Sequence, residues 1–217
     1  MYKTVVFDLD GTLLNTLTDL ADAGNRLCQK YGWPTHERQA YRYFVGNGIP
    51  KLVERLAPAD QRTPAVLEAA LADFKRDYGQ HLRDTTAPYP GIPEMLAKLK
   101  ANGVQLAVFS NKADALAKEV VKDYFGTQHF TIVRGQMTGV APKPAAEGTN
   151  ALLQALHADP ASTLYVGDSN VDVETAHNAN LPCCGAVWGF RTREELNAAG
   201  AEYLAENSDE LYDVIMK

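Results

Sequence analysis

The sequence predicts an α/β protein: a doubly wound, mostly parallel sheet with a small all-helical unit inserted after its first strand. Three observations predict it. An apolar run, Thr4-Val5-Val6-Phe7, opens the chain and is too short for a helix. Residues 15–83 then carry helical periodicity and no strand-like stretch. From residue 92 onward short apolar runs alternate with helical segments, the pattern of parallel βαβ units. The first strand can join that sheet only if the helical unit interrupts the chain. The sequence therefore divides into a core of residues 1–14 and 86–217 and an inserted domain of residues 15–85.

In chain order, Thr4 to Phe7 runs into Asp8-Leu9-Asp10-Gly11-Thr12, two carboxylates one residue apart followed by a turn signal. Leu17, Leu20, Ala21, Gly24, Leu27, Cys28 and Tyr31 recur at three- and four-residue intervals and form one face of a helix that Pro34 stops. A second helix begins near Glu37 and ends before Gly46-Asn47-Gly48. A third starts at Pro50, a favourable first-turn residue, and carries Leu52, Val53 and Leu56. A fourth spans Pro64 to Leu82, with Val66, Leu67, Ala70, Leu71, Phe74 and Tyr78 facing inward. Past Tyr89-Pro90-Gly91 the rhythm changes. Helices over Ile92–Ala101, Ala113–Tyr124, Ala145–His157 and Asp172–Asn178 alternate with strands over Val104–Phe109, Phe130–Val133, Thr163–Val166 and Cys184–Val187, the last clear strand.

Bulk properties narrow the function classes. A chain of 217 residues, 46% hydrophobic and 22% charged, is ordinary for a globular protein with a sizeable core. A net charge of −6 argues against nucleic acid as partner, and an anionic ligand would need local positive charge or a metal. No apolar run approaches the ~20 residues of a membrane-spanning helix, so no membrane partner is expected. Cys28, Cys183 and Cys184, odd in number and including an adjacent pair, make no disulfide framework, and no signal-peptide pattern is evident. Both favour a reducing, cytoplasmic setting. The five histidines show no zinc-like spacing. No heptad is evident, and the chain reads as a monomer or homodimer.

The strand ends carry the chemistry. In an open α/β sheet, ligands bind beyond the carboxyl ends of the strands. There the sequence places Asp8 and Asp10, then Ser110 and Asn111, then Gly167-Asp168-Ser169 with Asp172 four residues beyond Asp168. Pro142-Lys143-Pro144 adds a lysine in a restricted backbone. Two converging carboxylates resist ionising unless a cation sits between them, and an all-oxygen donor set suits a hard divalent ion. A nucleophile, an acid/base, a hydroxyl, a cation and metal-binding carboxylates are together what phosphoryl transfer calls for. Individually, Ser110 is also readable as a plain strand-end hydroxyl, Lys143 as a solvated lysine, and Asp168 and Asp172 as helix-capping acids. All of these at strand ends, in this order, favour the site.

The order Asp8-Leu9-Asp10-Gly11-Thr12, Ser110-Asn111-Lys112, Lys143-Pro144 and Gly167-Asp168-Ser169-Asn170-Val171-Asp172 resembles the haloacid dehalogenase superfamily of phosphohydrolases across essentially the full chain. The resemblance implies a Rossmann-like core and gives the inserted unit the role of a small helical cap that closes over the site. It implies that Asp8 is the nucleophile and Asp10 the general acid/base, and that Ser110 and Lys143 hold phosphoryl oxygens. It implies Mg²⁺ bound by Asp8, Asp168 and the backbone carbonyl of Asp10, whereas the residues alone suggest both Asp8 and Asp10 side chains. Asp172 would support that metal shell or Lys143. Thr12 and Asn111 join Ser110 and Lys143 as implied substrate contacts in the core.

In the inserted unit, Val45-Gly46-Asn47-Gly48 with Leu52-Val53-Glu54-Arg55-Leu56 is similar to the cap of phosphoglycolate phosphatases, as are Tyr89-Pro90-Gly91 and Trp188-Gly189-Phe190-Arg191. Gly46, Asn47 and Gly48 thereby become candidate ligand contacts, beside the simpler reading of a helix-breaking turn. Arg55 becomes a candidate for a substrate carboxylate, beside that of a surface arginine. The activity implied is hydrolysis of a small phosphorylated metabolite, 2-phosphoglycolate first, through an aspartyl-phosphate. A pyrophosphatase, sugar-phosphate phosphatase, phosphoglucomutase or non-catalytic metabolite-binding protein of the same fold stands as the alternative. Two departures from the family pattern are Asn15-Thr16 in place of Asp-Ser and Asn180 in place of glycine; asparagine tolerates the left-handed turn that glycine would make there.

Overall fold

A computed structural model describes residues 1–217. In chain order the elements are Thr4–Phe7 (β1), Leu14–Asn15 (β2), Leu17–Tyr31 (α1), Arg38–Phe44 (α2), Ile49–Leu56 (α3), Pro64–His81 (α4) and Ala87–Pro88 (β3). There follow Ile92–Ala101 (α5), Gln105–Ala113 (β4), Asp114–Phe125 (α6), Ile132–Gln136 (β5), Ala146–Leu156 (α7), Thr163–Gly167 (β6) and Asn170–Asn178 (α8). Cys183–Ala186 (β7), Arg193–Ala198 (α9), Tyr203–Ala205 (β8) and Ser208–Met216 (α10) complete the chain. It divides into two compact units, Met1–Leu14 with Pro88–Lys217, and Asn15–Ala87.

The first unit holds a six-stranded sheet in the order β5-β4-β1-β6-β7-β8, with every neighbouring pair parallel. The leading strand Thr4–Phe7 is thus central, flanked by β4 and β6, and is buried along its whole length. Its register sets Phe7 against Val108 on one side and Val166 on the other. Side chains of a strand alternate between faces, so Val6, Ala107, Tyr165 and Cys183, which stand in register, share one face. That face packs against Leu152, Leu153 and Leu156 of α7 and Val173 and Ala176 of α8. On the other face Phe7 meets Phe130 edge-on at 6.4 Å. Strand order reverses at β1: the chain builds outward through β4 and β5, then returns to β6 on the other side. Asp8 leaves the sheet at this switch point, where such folds open a crevice.

The second unit, Asn15–Ala87, contains α1–α4 and no strand of the large sheet. Gly24 of α1 has no side chain because the Tyr41 ring occupies the space a Cβ would need. Tyr41 is fully buried and donates its hydroxyl to Asn25 Oδ1 at 3.0 Å, while Asn25 also holds both backbone groups of His36. Asp19, buried in α1, accepts from the backbone N–H and the hydroxyl of both Thr85 and Thr86, at 2.6–2.9 Å. Ala70, Phe74 and Tyr78 form the buried stripe of α4; Val66, Leu67 and Leu71, expected on the same inward face, are only half-buried.

Several boundaries differ from the sequence expectation. The first helix ends at Gly32, whose φ of 67° supplies the left-handed cap, two residues before Pro34. The helix expected from Asp172 begins at Asn170, because Ser169 and Asp172 close a reciprocal capping box. The strand expected over Phe130–Val133 lies at Ile132–Gln136. The last strand is β8 rather than β7; it is three residues long and follows the short helix α9. Asn180 has a φ of 57°, so it adopts the left-handed turn expected of it.

Candidate active site

Beyond the carboxyl end of β1 the backbone turns sharply. Gly11 N–H donates to Leu14 O at 2.8 Å, and Leu9 O accepts from Thr12, Leu13 and Leu14. Gly11 has a φ of 91°, and any Cβ there would fall on the Asp168 carboxylate. Gly189 faces the opposite constraint: a Cβ would meet Asp168 Cβ and the Gly11 carbonyl. The two glycines let the segments that follow β1 and β7 close around Asp168 at the end of β6. Thr12 Oγ1 donates to Asp168 Oδ1 at 3.2 Å and Phe190 N–H to Oδ2 at 2.7 Å, while Trp188 Nε1 donates to Thr12 O at 3.0 Å. The Trp188-Gly189-Phe190-Arg191 run is therefore a brace for Asp168.

Asp8, Asp168 and Asp172 are buried, and one carboxylate oxygen from each lies within 4.8 Å of the others. Lys143, 3% exposed, enters this group: its Nζ lies 2.8 Å from Asp8 Oδ1 and donates to Asp172 Oδ1 at 2.7 Å, with Phe109 O and Tyr165 OH each at 3.3 Å. The lysine is itself positioned by Asn111, whose Oδ1 accepts from Lys143 N–H at 2.9 Å and whose Nδ2 donates to Lys143 O at 3.3 Å. Asp172 Oδ2 is taken up by the Ser169 N–H and hydroxyl, so this carboxylate caps its helix and anchors Lys143 at once. Ser110, 3% exposed, accepts the Lys112 N–H at 3.2 Å through its hydroxyl.

The electrostatics follow from this crowding. Burial pushes the Asp8 carboxyl up to about 7, opposed by the Lys143 charge and reinforced by Asp172. Burial, then Asp172 and Asp8, hold Asp168 well above the usual carboxylate range. For Lys143, burial alone would lower the pKa, but Asp172 and Asp8 outweigh it and the group stays well above its ordinary value. Asp8 and Asp172 share the single ammonium of Lys143, and Asp168 lies beside them with no lysine of its own, so the carboxyls of the trio outnumber the lysine they surround. Asp8 Oδ1 pairs with Lys143 by proximity, yet receives no aligned hydrogen bond. An under-satisfied oxygen in a crowded, all-oxygen acidic group is the donor set a hard divalent cation fits.

Not every expected residue joins this group. The Asp10 side chain is only partly buried and lies against Lys112, with Oδ1 3.0 Å and Oδ2 3.4 Å from Nζ. The Asp10 side chain thus faces Lys112, and the carboxylates close enough to one another to hold one ion are those of Asp8, Asp168 and Asp172. Gly46, Asn47 and Gly48 form the turn between α2 and α3, with φ of 111° at Gly46 and 83° at Gly48. Arg55 on α3 donates to Phe44 O and to Asn47 Oδ1, both at 2.8 Å, so its guanidinium braces that turn. Lys112 and Tyr165 are the contacts that sequence reasoning left without a role. Lys112 stood in the Ser110-Asn111-Lys112 run, but nothing local paired it with a residue 102 positions away.

Residues 5–186 match the family model for haloacid dehalogenase-like hydrolases. A phosphoglycolate phosphatase of Chromobacterium violaceum is 32% identical over 216 residues, covering 98% of this chain and 96% of the relative. One of Vibrio parahaemolyticus is 28% identical, again over 98% and 96%. A crystal structure from Lactobacillus delbrueckii subsp. bulgaricus, provisionally assigned as a phosphoglycolate phosphatase, superposes with a TM-score of 0.93. It is 28% identical and covers 99% of this chain and 98% of its own.

Proposed function

The chain belongs to the haloacid dehalogenase-like hydrolase family and is a phosphatase; on that premise we propose that it hydrolyses 2-phosphoglycolate to glycolate and phosphate, with Asp8 as nucleophile. The observation that carries this reading is Lys143 seated between Asp8 and Asp172, beside the acidic trio. A buried cation next to a carboxylate favours its ionised form against burial and places it for attack on a phosphorus atom. The phosphoglycolate phosphatases among the relatives support the choice of substrate.

In this reading an Asp8 oxygen forms a bond to phosphorus as the bond to the ester oxygen breaks. Asp10 gives its proton to the departing alkoxide. The same carboxylate then takes a proton from water, whose oxygen attacks the phosphorus of the aspartyl-phosphate and returns Asp8 with release of phosphate. Lys143 and the Ser110 hydroxyl hold phosphoryl oxygens, Asn111 fixes the lysine, and Thr12 fixes Asp168. Asp8, Asp168 and the Asp10 carbonyl would hold Mg²⁺, with Asp172 behind them. When bound, the ion supplies positive charge against the phosphoryl oxygens and relieves the repulsion among the carboxylates. The helical unit of residues 15–87, with its turn at Gly46-Asn47-Gly48 braced by Arg55, is assigned to substrate selection. The free, buried cysteines suit a reducing, cytoplasmic compartment, and a monomer or homodimer is expected.

Acid quenching during turnover of ³²P-labelled substrate tests the nucleophile. Wild type should retain hydroxylamine-sensitive label on Asp8, and Asp8→Asn should retain none and lose at least about 10⁴-fold in kcat. Label elsewhere, or turnover by Asp8→Asn, would contradict the assignment.

A further inference from the structure

Two buried lysines pair with three of the four carboxylates of the site. Lys143 takes Asp8 and Asp172, and Lys112 takes Asp10. Lys112 is 5% exposed, so its ammonium has left water and needs a compensating anion. Its Nζ reaches both oxygens of Asp10, at 3.0 and 3.4 Å, which ties the carboxylate end to a fixed point. The lysine's own backbone is fixed in turn, since its N–H donates to the Ser110 hydroxyl. Asp10 lies three residues past the end of β1, in an isolated bridge to Leu14 rather than within a strand.

We infer that Lys112 is the positioning residue for proton transfer: it aims the Asp10 carboxylate at the leaving oxygen. This inference rests on the acid/base role proposed for Asp10. A proton donor matters in proportion to how poor the leaving group is. An alkoxide must be protonated as it departs, whereas a dinitrophenolate leaves without help. A misaimed Asp10 therefore slows alkyl esters selectively, while a distorted phosphate pocket slows all esters alike.

The test compares kcat/KM of wild type and Lys112→Met on ethyl phosphate, 2-phosphoglycolate and 2,4-dinitrophenyl phosphate. On both alkyl esters the expected loss is about 10²-fold, the lower end of what a positioned acid contributes, and at least about tenfold smaller on the aryl ester. Lys112→Arg, which keeps the charge, should recover part of the alkyl-ester rate. Equal losses on all three esters, or no loss on any, would overturn the inference. So would a loss confined to 2-phosphoglycolate, which would make Lys112 a ligand of the substrate carboxylate. Should Lys112→Met fail to fold, Lys112→Gln carries the same comparison. Asp10→Asn serves as the reference: it should show the same ordering with deeper losses. If it shows no alkyl preference, the acid/base role itself fails and takes the inference with it. If it does and Lys112→Met does not, only the inference fails.

Discussion

Asp168 is held on every side by atoms that leave no room for adjustment. Its oxygens accept from Thr12 and Phe190, its backbone carbonyl accepts from Arg191 N–H at 3.3 Å, and Gly11 and Gly189 press against its side chain. A first-coordination carboxylate depends on such partners for its orientation, and disturbing them typically weakens metal affinity 10- to 100-fold, by the rough scale of known metal sites. Gly11→Ala adds a strained φ of 91° and a methyl group aimed at the carboxylate. We expect its half-saturating Mg²⁺ concentration to rise by about 10- to 100-fold in an activity titration. An unchanged value would mean that Asp168 does not hold the ion. The residue scale is also where sequence reading reached furthest and stopped most abruptly. Asp8, Asp168 and Lys143 were legible because strand ends and motif spacing mark them. The pairing of Lys112 with Asp10 was not, because it joins residues 102 positions apart through a fold that periodicity cannot register.

Among the elements, α1 shows how a single polar residue ties distant segments of the chain together. Asp19 satisfies the backbone N–H and hydroxyl of Thr85 and of Thr86 from within the helix, while being 2% exposed. Nothing in the apolar periodicity of Leu17–Tyr31 marks it, since an acid near a helix start reads simply as favourable to the dipole. Removing it strands the donors of the buried Thr86, each worth about 1–3 kcal/mol, while those of the exposed Thr85 can turn to water. Asp19→Ala should therefore lower stability by about 2–4 kcal/mol in urea unfolding, and Asp19→Asn, which keeps one acceptor oxygen, by less. A change within about 0.5 kcal/mol, the level of a surface substitution, would deny the clamp. Strands buried on both faces, such as Thr4–Phe7 and Thr163–Gly167, were readable as unbroken apolar runs. The edge strand Tyr203–Ala205 was not, because it is short and half-exposed and so carries no such run.

For the molecule as a whole, the sheet order explains why one end of the core gathers so much charge. The strand that leads to Asp8 sits between β4, whose far end carries Ser110, and β6, which leads to Asp168, so these residues gather at one end of the sheet. The folded core therefore holds repulsion that the unfolded chain does not, and a cation that binds only the folded state stabilises it by mass action. Mg²⁺ at 100 times its dissociation constant should add about 2.7 kcal/mol to the stability of the core, and excess chelator should remove it. Asp168→Asn should abolish most of that response; a response of equal size in the variant would place the ion elsewhere. The alternation of strands and helices made this architecture legible from sequence, since burial dictates both. The bracing of the Gly46-Asn47-Gly48 turn by Arg55 was not, because a contact between side chain and turn leaves no mark on periodicity.

Phosphate release from a panel of esters in the presence of Mg²⁺, compared by kcat/KM, decides whether 2-phosphoglycolate is the substrate. The panel should include 2-phosphoglycolate, ethyl phosphate, pyrophosphate and several sugar phosphates. The value should be highest for 2-phosphoglycolate and should be lost in Asp8→Asn. A sugar phosphate or pyrophosphate turned over far faster than 2-phosphoglycolate would contradict that assignment.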